Sequence, residues 1–84
     1  MDMPMRMYVF SNMILLVHAK MGVKEFMRIR IDKYSYVMTV PDFNYFKNRL
    51  YFYGVNGCVH LTFQSIELRN EIVAVIKKLV SEIN

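Results

Sequence analysis

At Ser65 the spacing of apolar residues changes. In "CVHLTFQSIELRNEIVAVIKKLV", residues 58–80, the side chains before Gln64 alternate between apolar and polar, whereas those after Ser65 recur every three or four positions. Alternation marks a strand with one buried face, and the longer period marks an amphipathic helix. Strands crowd the chain ahead of this switch and one helix follows it, so both apolar faces are satisfied only if the helix lies on the sheet. The expected fold class is α+β.

The helix is predicted over 65–83. Ser65 is placed as N-cap, Glu67 sits near the positive end of the dipole, and Lys77 and Lys78 lie toward the other end. At 100° per residue, Ile66, Leu68, Ile72, Val73, Val75, Ile76, Leu79, Val80 and Ile83 cover about half the circumference, interrupted by Arg69. A face that wide calls for a sheet beneath it and leaves room for a second protein beside it.

Upstream, within 5–64, the pattern is one of hairpins. "MRMYVF" and "MILLVHAK" flank Ser11-Asn12, although a helix over 12–21 competes for the second run. "FMRIRID" and "SYVMTV" form the next pair across Asp32-Lys33, with Met27, Ile29 and Ile31 on one face and Phe26, Arg28, Arg30 and Asp32 on the other. Pro41-Asp42 ends that strand, and "DFNYFKN" reads as a connection or a short helical turn. "RLYFYG" and "CVHLTF" then meet through "GVNG", where Asn56-Gly57 is expected to supply the positive φ of a tight turn. Leu50 and Phe52 oppose Arg49, Tyr51 and Tyr53, just as Val59, Leu61 and Phe63 oppose Cys58, His60 and Thr62. The methionines at 1, 3, 5 and 7 alternate with Asp2, Pro4 and Arg6, a pattern that reads either as an extended arm, at a sheet edge because of Pro4, or as a frayed terminus. The expected architecture is a single domain, 1–84: a strongly bent antiparallel sheet of five to seven strands, packed by the C-terminal helix.

Size and composition narrow the function. Eighty-four residues leave no room for a second domain, and 55% hydrophobic content is more than so small a domain hides easily. Self-association, as a homodimer or within a larger assembly, follows as an expectation. The lone Cys58 forms no intramolecular disulfide and suits a reduced, cytoplasmic protein. Apolar runs such as Met13–Val17 fall far short of the roughly 20 residues that span a bilayer. Net charge is +4, and residues 1–64 hold the excess, with eight Lys or Arg against four acids, while 65–84 hold three of each. That bias favours an anionic partner. Brevity and the Met-rich opening match the style of a viral or mobile-element protein.

Candidate binding residues lie on the wet side of the strands. Arg28, Arg30, Arg49, Tyr51, Tyr53 and His60 are expected to share one face, flanked by Lys20 and Lys24, and aromatics interleaved with arginine can stack on bases and neutralise phosphates. His18 and His60 lack the Cys or carboxylate companions of a metal site. Cys58 and His60 share a strand face, but i, i+2 residues stand about 6–7 Å apart at the backbone, and no acid is placed to orient them. With no Gly-rich phosphate loop either, no catalytic activity and no cofactor are expected.

Two resemblances follow from these residues. "NGCVHLTF" keeps Gly57, Leu61, Thr62 and Phe63 of the signature strand of RNA-recognition domains. It puts Cys58 and His60 where stacking aromatics belong, and no strand follows the helix, so membership is not inferred. Over nearly the whole chain, successive hairpins closed by one amphipathic helix, ending "LTFQSIELRNEIVAVIKKLV", resemble the pleckstrin-homology-type roll. Such domains usually have seven strands, and many bind proteins. "KEFMRIR" is similar to that family's phosphoinositide pattern through Lys24, Arg28 and Arg30, although here it lies in the third strand rather than across the first hairpin. The resemblance therefore adds anionic phospholipid to the possible ligands. The preferred expectation is a non-catalytic module for a protein partner or a second copy, with nucleic acid as the first alternative and anionic lipid as the second.

Overall fold

The structure, a computed structural model, describes residues 4–18 and 25–83, the side chains of Glu25 and Phe26 excepted. Six strands precede one helix: β1 (Met5–Val9), β2 (Met13–His18), β3 (Glu25–Arg30), β4 (Tyr36–Val40), β5 (Arg49–Gly54), β6 (Gly57–Thr62) and α1 (Ile66–Ser81). The α+β class and the terminal helix are as expected. Instead of one bent sheet, the strands form two three-stranded antiparallel sheets, β1-β2-β3 and β4-β5-β6.

Met13–His18 is strand rather than helix, because pairing with β1 and β3 on its two sides satisfies its backbone. The first hairpin turns through Ser11-Asn12 as read, with the Phe10 N–H donating to the Met13 carbonyl at 2.8 Å. β1 is an edge strand preceded by Pro4, and Met5 and Met7 pack onto this chain's own core.

The expected hairpin between "FMRIRID" and "SYVMTV" does not form. β3 pairs with β2, and β4 pairs with β5. The turn between them carries the chain from one sheet to the other, held by Ser35 and Asp32. Asp32 N–H donates to Ser35 Oγ at 2.9 Å, Ser35 N–H to the Asp32 carbonyl at 3.0 Å, and Tyr34 N–H to Asp32 Oδ1 at 2.9 Å. These bonds satisfy the turn locally, so its two flanking strands need not pair with each other.

A second correction concerns "GVNG". The two-residue loop is Val55-Asn56, with Gly54 paired to Gly57 across it. Asn56 has no positive φ; among the described residues the non-glycine residues that do are Asn44 at 54° and Asn48 at 56°. Gly54 serves a different need. A Cβ there would sit 2.6 Å from Ile29 Cγ2 and 2.9 Å from the Arg30 carbonyl oxygen, so a bare α-carbon lets this hairpin reach β3. Asn56 then clamps the strand: Oδ1 accepts the Arg30 N–H at 3.0 Å and Nδ2 donates to the Arg28 carbonyl at 3.3 Å. Both groups belong to the edge of β3 that β2 leaves unpaired. One side chain thus joins the sheets and covers an edge that would otherwise invite another chain.

The core forms where the inward faces meet. Ile14, Leu16, Ile29 and Ile31 from the first half pack with Val37, Leu50 and Phe52 from the second and with Val73 and Ile76 from α1. Strand parity over β5 and β6 is as read: Leu50 and Phe52 are buried and Val59, Leu61 and Phe63 half-buried, while Tyr53, Cys58, His60 and Thr62 are exposed.

Ser65 caps α1, its Oγ accepting the Leu68 N–H at 3.1 Å. The helix lies mainly on β4 and β5. Its buried face is narrower than the expected half circumference: Ile66, Leu68 and Val75 are exposed. Arg69, read as an interruption, is buried instead, with Nη1 donating to the Arg49 carbonyl at 3.0 Å and Nε to Asn70 Oδ1 at 2.7 Å. Its aliphatic stem packs like a hydrophobe, while its head satisfies a backbone oxygen at the start of β5. Among the described residues no helix is long and apolar enough to cross a membrane.

Candidate functional site

The outward face of β4-β5-β6 consists of three cross-strand rows. Tyr36, Tyr53 and Cys58 form the first; Met38, Tyr51 and His60 the second; Val40, Arg49 and Thr62 the third. Alternation places them there, because Val37, Leu50, Phe52, Val59 and Leu61, on the opposite face of these strands, pack in or against the core. Tyr36 is 54%, Tyr53 50% and Met38 39% exposed, a large apolar and aromatic area for so small a sheet.

Two contacts order this surface. Tyr51 and His60 meet edge to face, with ring centroids 4.6 Å apart and planes inclined by 68°, an arrangement in which the positive edge of one ring meets the negative face of the other. The Tyr51 phenol is held above the ordinary tyrosine value of 10.0, first by its side-chain hydrogen bond with Cys58, then by desolvation and by negative charge on Cys58 and Tyr53.

Arg49 is the cation of this face, and it is already engaged. Nη2 donates to the Pro41 carbonyl at 2.8 Å, and the guanidinium carbon lies 5.4 Å from the Phe46 ring centroid. Its buried Nε has no hydrogen-bond partner among the described residues.

The candidates Arg28 and Arg30 lie elsewhere. They are exposed residues of β3, in the other sheet, where Arg28 stands opposite Leu15 and Arg30 opposite Met13. Arg30 also pairs with Asp32, Nε to Oδ2 at 3.7 Å. The expected single face of Arg28, Arg30, Arg49, Tyr51, Tyr53 and His60 is therefore divided: the last four share a sheet and the first two belong to its neighbour. The reason is the crossing at 32–35, since parity relates residues only within one sheet. Lys20 and Lys24 lie outside the described residues.

Sequence reasoning missed two parts of the surface. Tyr36 and Met38 were read as strand without being assigned to the face. The larger omission is "DFNYFKN", where Phe43 is 66%, Tyr45 98% and Phe46 57% exposed. A signal was present: three aromatics within four residues, next to Pro41-Asp42 and outside any period of two or 3.6, are surplus to a core.

Nothing here assembles an acid–base or metal constellation. Among the described residues no three His, Cys, Asp or Glu side chains gather as metal ligands. A groove of about 460 Å³ beside β4, lined by residues 35–39 with Lys77, Val80 and Ser81, contains a cation but no carboxylate. What the outward face offers is contact: stacking area, thioether and phenol groups, and little free charge. No family model, no curated protein and no solved structure matches this chain, so the surface is interpreted from its own chemistry.

Proposed function

We propose that this chain is a non-catalytic interaction module that holds a protein partner, a second copy of itself included, on the outward face of β4-β5-β6. One observation carries the reading: that face exposes Tyr36, Met38 and Tyr53 beside Tyr51 and His60, while its cation, Arg49, is taken up by Pro41 and Phe46. Polyanion binding draws its affinity from cations that neutralise phosphates, whereas protein interfaces centre on tyrosine, methionine and other large side chains with charge depleted. The surface matches the second description. Nucleic acid and anionic lipid remain the alternatives, through Arg28, Arg30 and Lys24, with Arg28 and Arg30 in a different sheet from Tyr51 and Tyr53. A cytoplasmic setting and a pleckstrin-homology-type roll belong to the same proposal; two antiparallel sheets followed by a C-terminal helix support the roll, with six described strands where seven are usual.

The scale of the face sets the kind of contact. Three strands about 4.8 Å apart and five residues rising about 3.4 Å each cover about 240 Å². That is roughly a third of the area each partner contributes to a standard interface, so contact through this face alone is transient.

Sedimentation equilibrium at low and at molar salt tests the proposal. Association that survives molar salt and disappears in Tyr53→Asp supports it. A strict monomer at the highest attainable concentration, whose amides at Tyr36, Tyr51 and Tyr53 move on adding a single-stranded oligonucleotide at low salt, refutes it in favour of nucleic acid.

A further inference from the structure

Apart from Phe46, which lies against Arg49, the aromatic loop between β4 and β5 has no role in that contact. Phe43 and Phe46 bond to each other twice, N–H to carbonyl at 2.9 Å and 2.8 Å, closing a two-residue turn over Asn44-Tyr45 with Asn44 at a φ of 54°. The base is tied as well. The Asn48 N–H donates to Asp42 Oδ1 at 3.3 Å, Asn48 Nδ2 to the Phe63 carbonyl at 3.4 Å, and the Phe63 N–H to the Asn48 carbonyl at 2.9 Å. A loop pinned at base and tip nonetheless presents Phe43, Tyr45 and Phe46 to water, with Tyr45 98% exposed at the apex. The fold therefore spends backbone order to display apolar rings that it does not bury.

We infer that this loop is an interfacial anchor that inserts Phe43, Tyr45 and Phe46 into the headgroup region of an anionic phospholipid bilayer. Shape and charge select this occupant. Tyr45, 98% exposed, stands clear of the fold, so its complement must yield around it, as a fluid interface does; a groove on a folded protein would have to be preformed. Aromatic rings with polar tips favour the membrane–water boundary. Lys47 is exposed immediately after the aromatics, on a chain of net charge +4, while the nearby Asp42 carboxylate already accepts the Asn48 amide. Cations behind an apolar tip are drawn to an anionic leaflet while the rings enter it. Because the rings are held by backbone hydrogen bonds, insertion costs little further ordering. This contact lies apart from Arg28 and Arg30, which belong to the other sheet, and leaves the tyrosine face open to its own partner.

Co-sedimentation of the full chain with vesicles, of phosphatidylcholine alone and of phosphatidylcholine with phosphatidylserine, tests the inference. The expected result is binding to the mixed vesicles, weaker on phosphatidylcholine, reduced at least fivefold in Tyr45→Ser and at least tenfold in the pair Phe43→Ser with Tyr45→Ser. Tyr45 touches so little of the fold that its replacement leaves the urea transition unchanged, which keeps the test valid if the double variant is destabilised. Tyr53→Asp, the variant that probes the sheet face, retains vesicle binding. Absence of binding to the mixed vesicles, or equal binding by Tyr45→Ser and the parent, overturns the inference. So does loss of self-association in Tyr45→Ser without any vesicle binding, which would make the loop a protein contact.

Discussion

Replacing Asn56 with alanine probes how the two sheets are joined. The Asn56 amide accepts the Arg30 N–H at 3.0 Å and donates to the Arg28 carbonyl at 3.3 Å, both on the side of β3 that faces away from β2. A protein hydrogen bond is worth about 0.5–1.5 kcal/mol net of the water bond it replaces. Both bonds lie in exposed surroundings, where water takes over the freed groups, so Asn56→Ala is expected to cost about 1–2 kcal/mol in total. In a domain of this length that lowers Tm by several degrees, at about 4–8 °C per kcal/mol. Urea denaturation gives the free energy, and amide exchange at Arg30 gives the mechanism, because its N–H loses its acceptor. Asn56→Asp separates the halves: it keeps an acceptor for Arg30, whose amide stays protected, and loses the donor to Arg28, so stability still falls. Gly54→Ala acts on the same contact from its packing side, since the added carbon meets the Arg30 carbonyl oxygen at 2.9 Å and forces the hairpin away. The two changes should therefore couple, with the double variant costing less than the sum of the singles. A loss below about 0.3 kcal/mol in Asn56→Ala, with Arg30 exchange unchanged, would refute the clamp and leave the join to core packing alone.

Further outcomes follow from the same structure. Ser65→Ala removes the acceptor of the Leu68 N–H and should cost about 1 kcal/mol by urea denaturation, with loss of helical signal at the first turn. Arg69→Ala, which loses the hydrogen bond to the Arg49 carbonyl and leaves a void, should cost more than Arg69→Met, which loses the bond but fills the void; the gap is expected at about 1–2 kcal/mol, and equal losses would mean that the stem does not pack. Phe52→Ala empties the centre of the core and should cost about 3–5 kcal/mol, enough to abolish a cooperative transition in a marginal domain. Ultraviolet titration should find a tyrosine that ionises above 10.0 and moves back toward it in Cys58→Ala. Because the folded state retains this proton more tightly, the associated stability is present below pH 10.0 and is lost as pH rises through the elevated value.

Much of this molecule is legible locally. Val59, Leu61 and Phe63 point inward and Cys58, His60 and Thr62 outward because the pleat alternates whatever the partner strand. Ser65 begins the helix because its hydroxyl reaches the Leu68 amide, a relation three residues long. The turn at Ser11-Asn12 is equally local. What misled the reading were features whose meaning lies far along the chain. Gly54 looked like part of a turn signal, yet it is bare because β3, more than twenty residues earlier, needs the space. Asn56 looked like a residue chosen for positive φ, yet it mimics a neighbouring strand. Arg69 looked like a flaw in an apolar stripe, and only the carbonyl of Arg49 explains its burial.

The division between the two sources of information is physical. Periodicity, caps and breakers act over a few residues, so the sequence alone determined five to seven strands followed by one helix, and which sides of β3, β5 and β6 are greasy. It also determined that apolar content exceeds what so small a domain hides easily. Which strands become neighbours depends on contacts between residues distant in the chain, and no local pattern encodes them. Only the tertiary structure decided that β3 leaves β4 for β2, and with it that Arg28 and Arg30 part from Tyr51, Tyr53 and His60. Parity holds along one ladder and ends where the ladder ends; that limit turned an expected basic and aromatic face into a tyrosine surface with an engaged Arg49 on one sheet and two arginines on another.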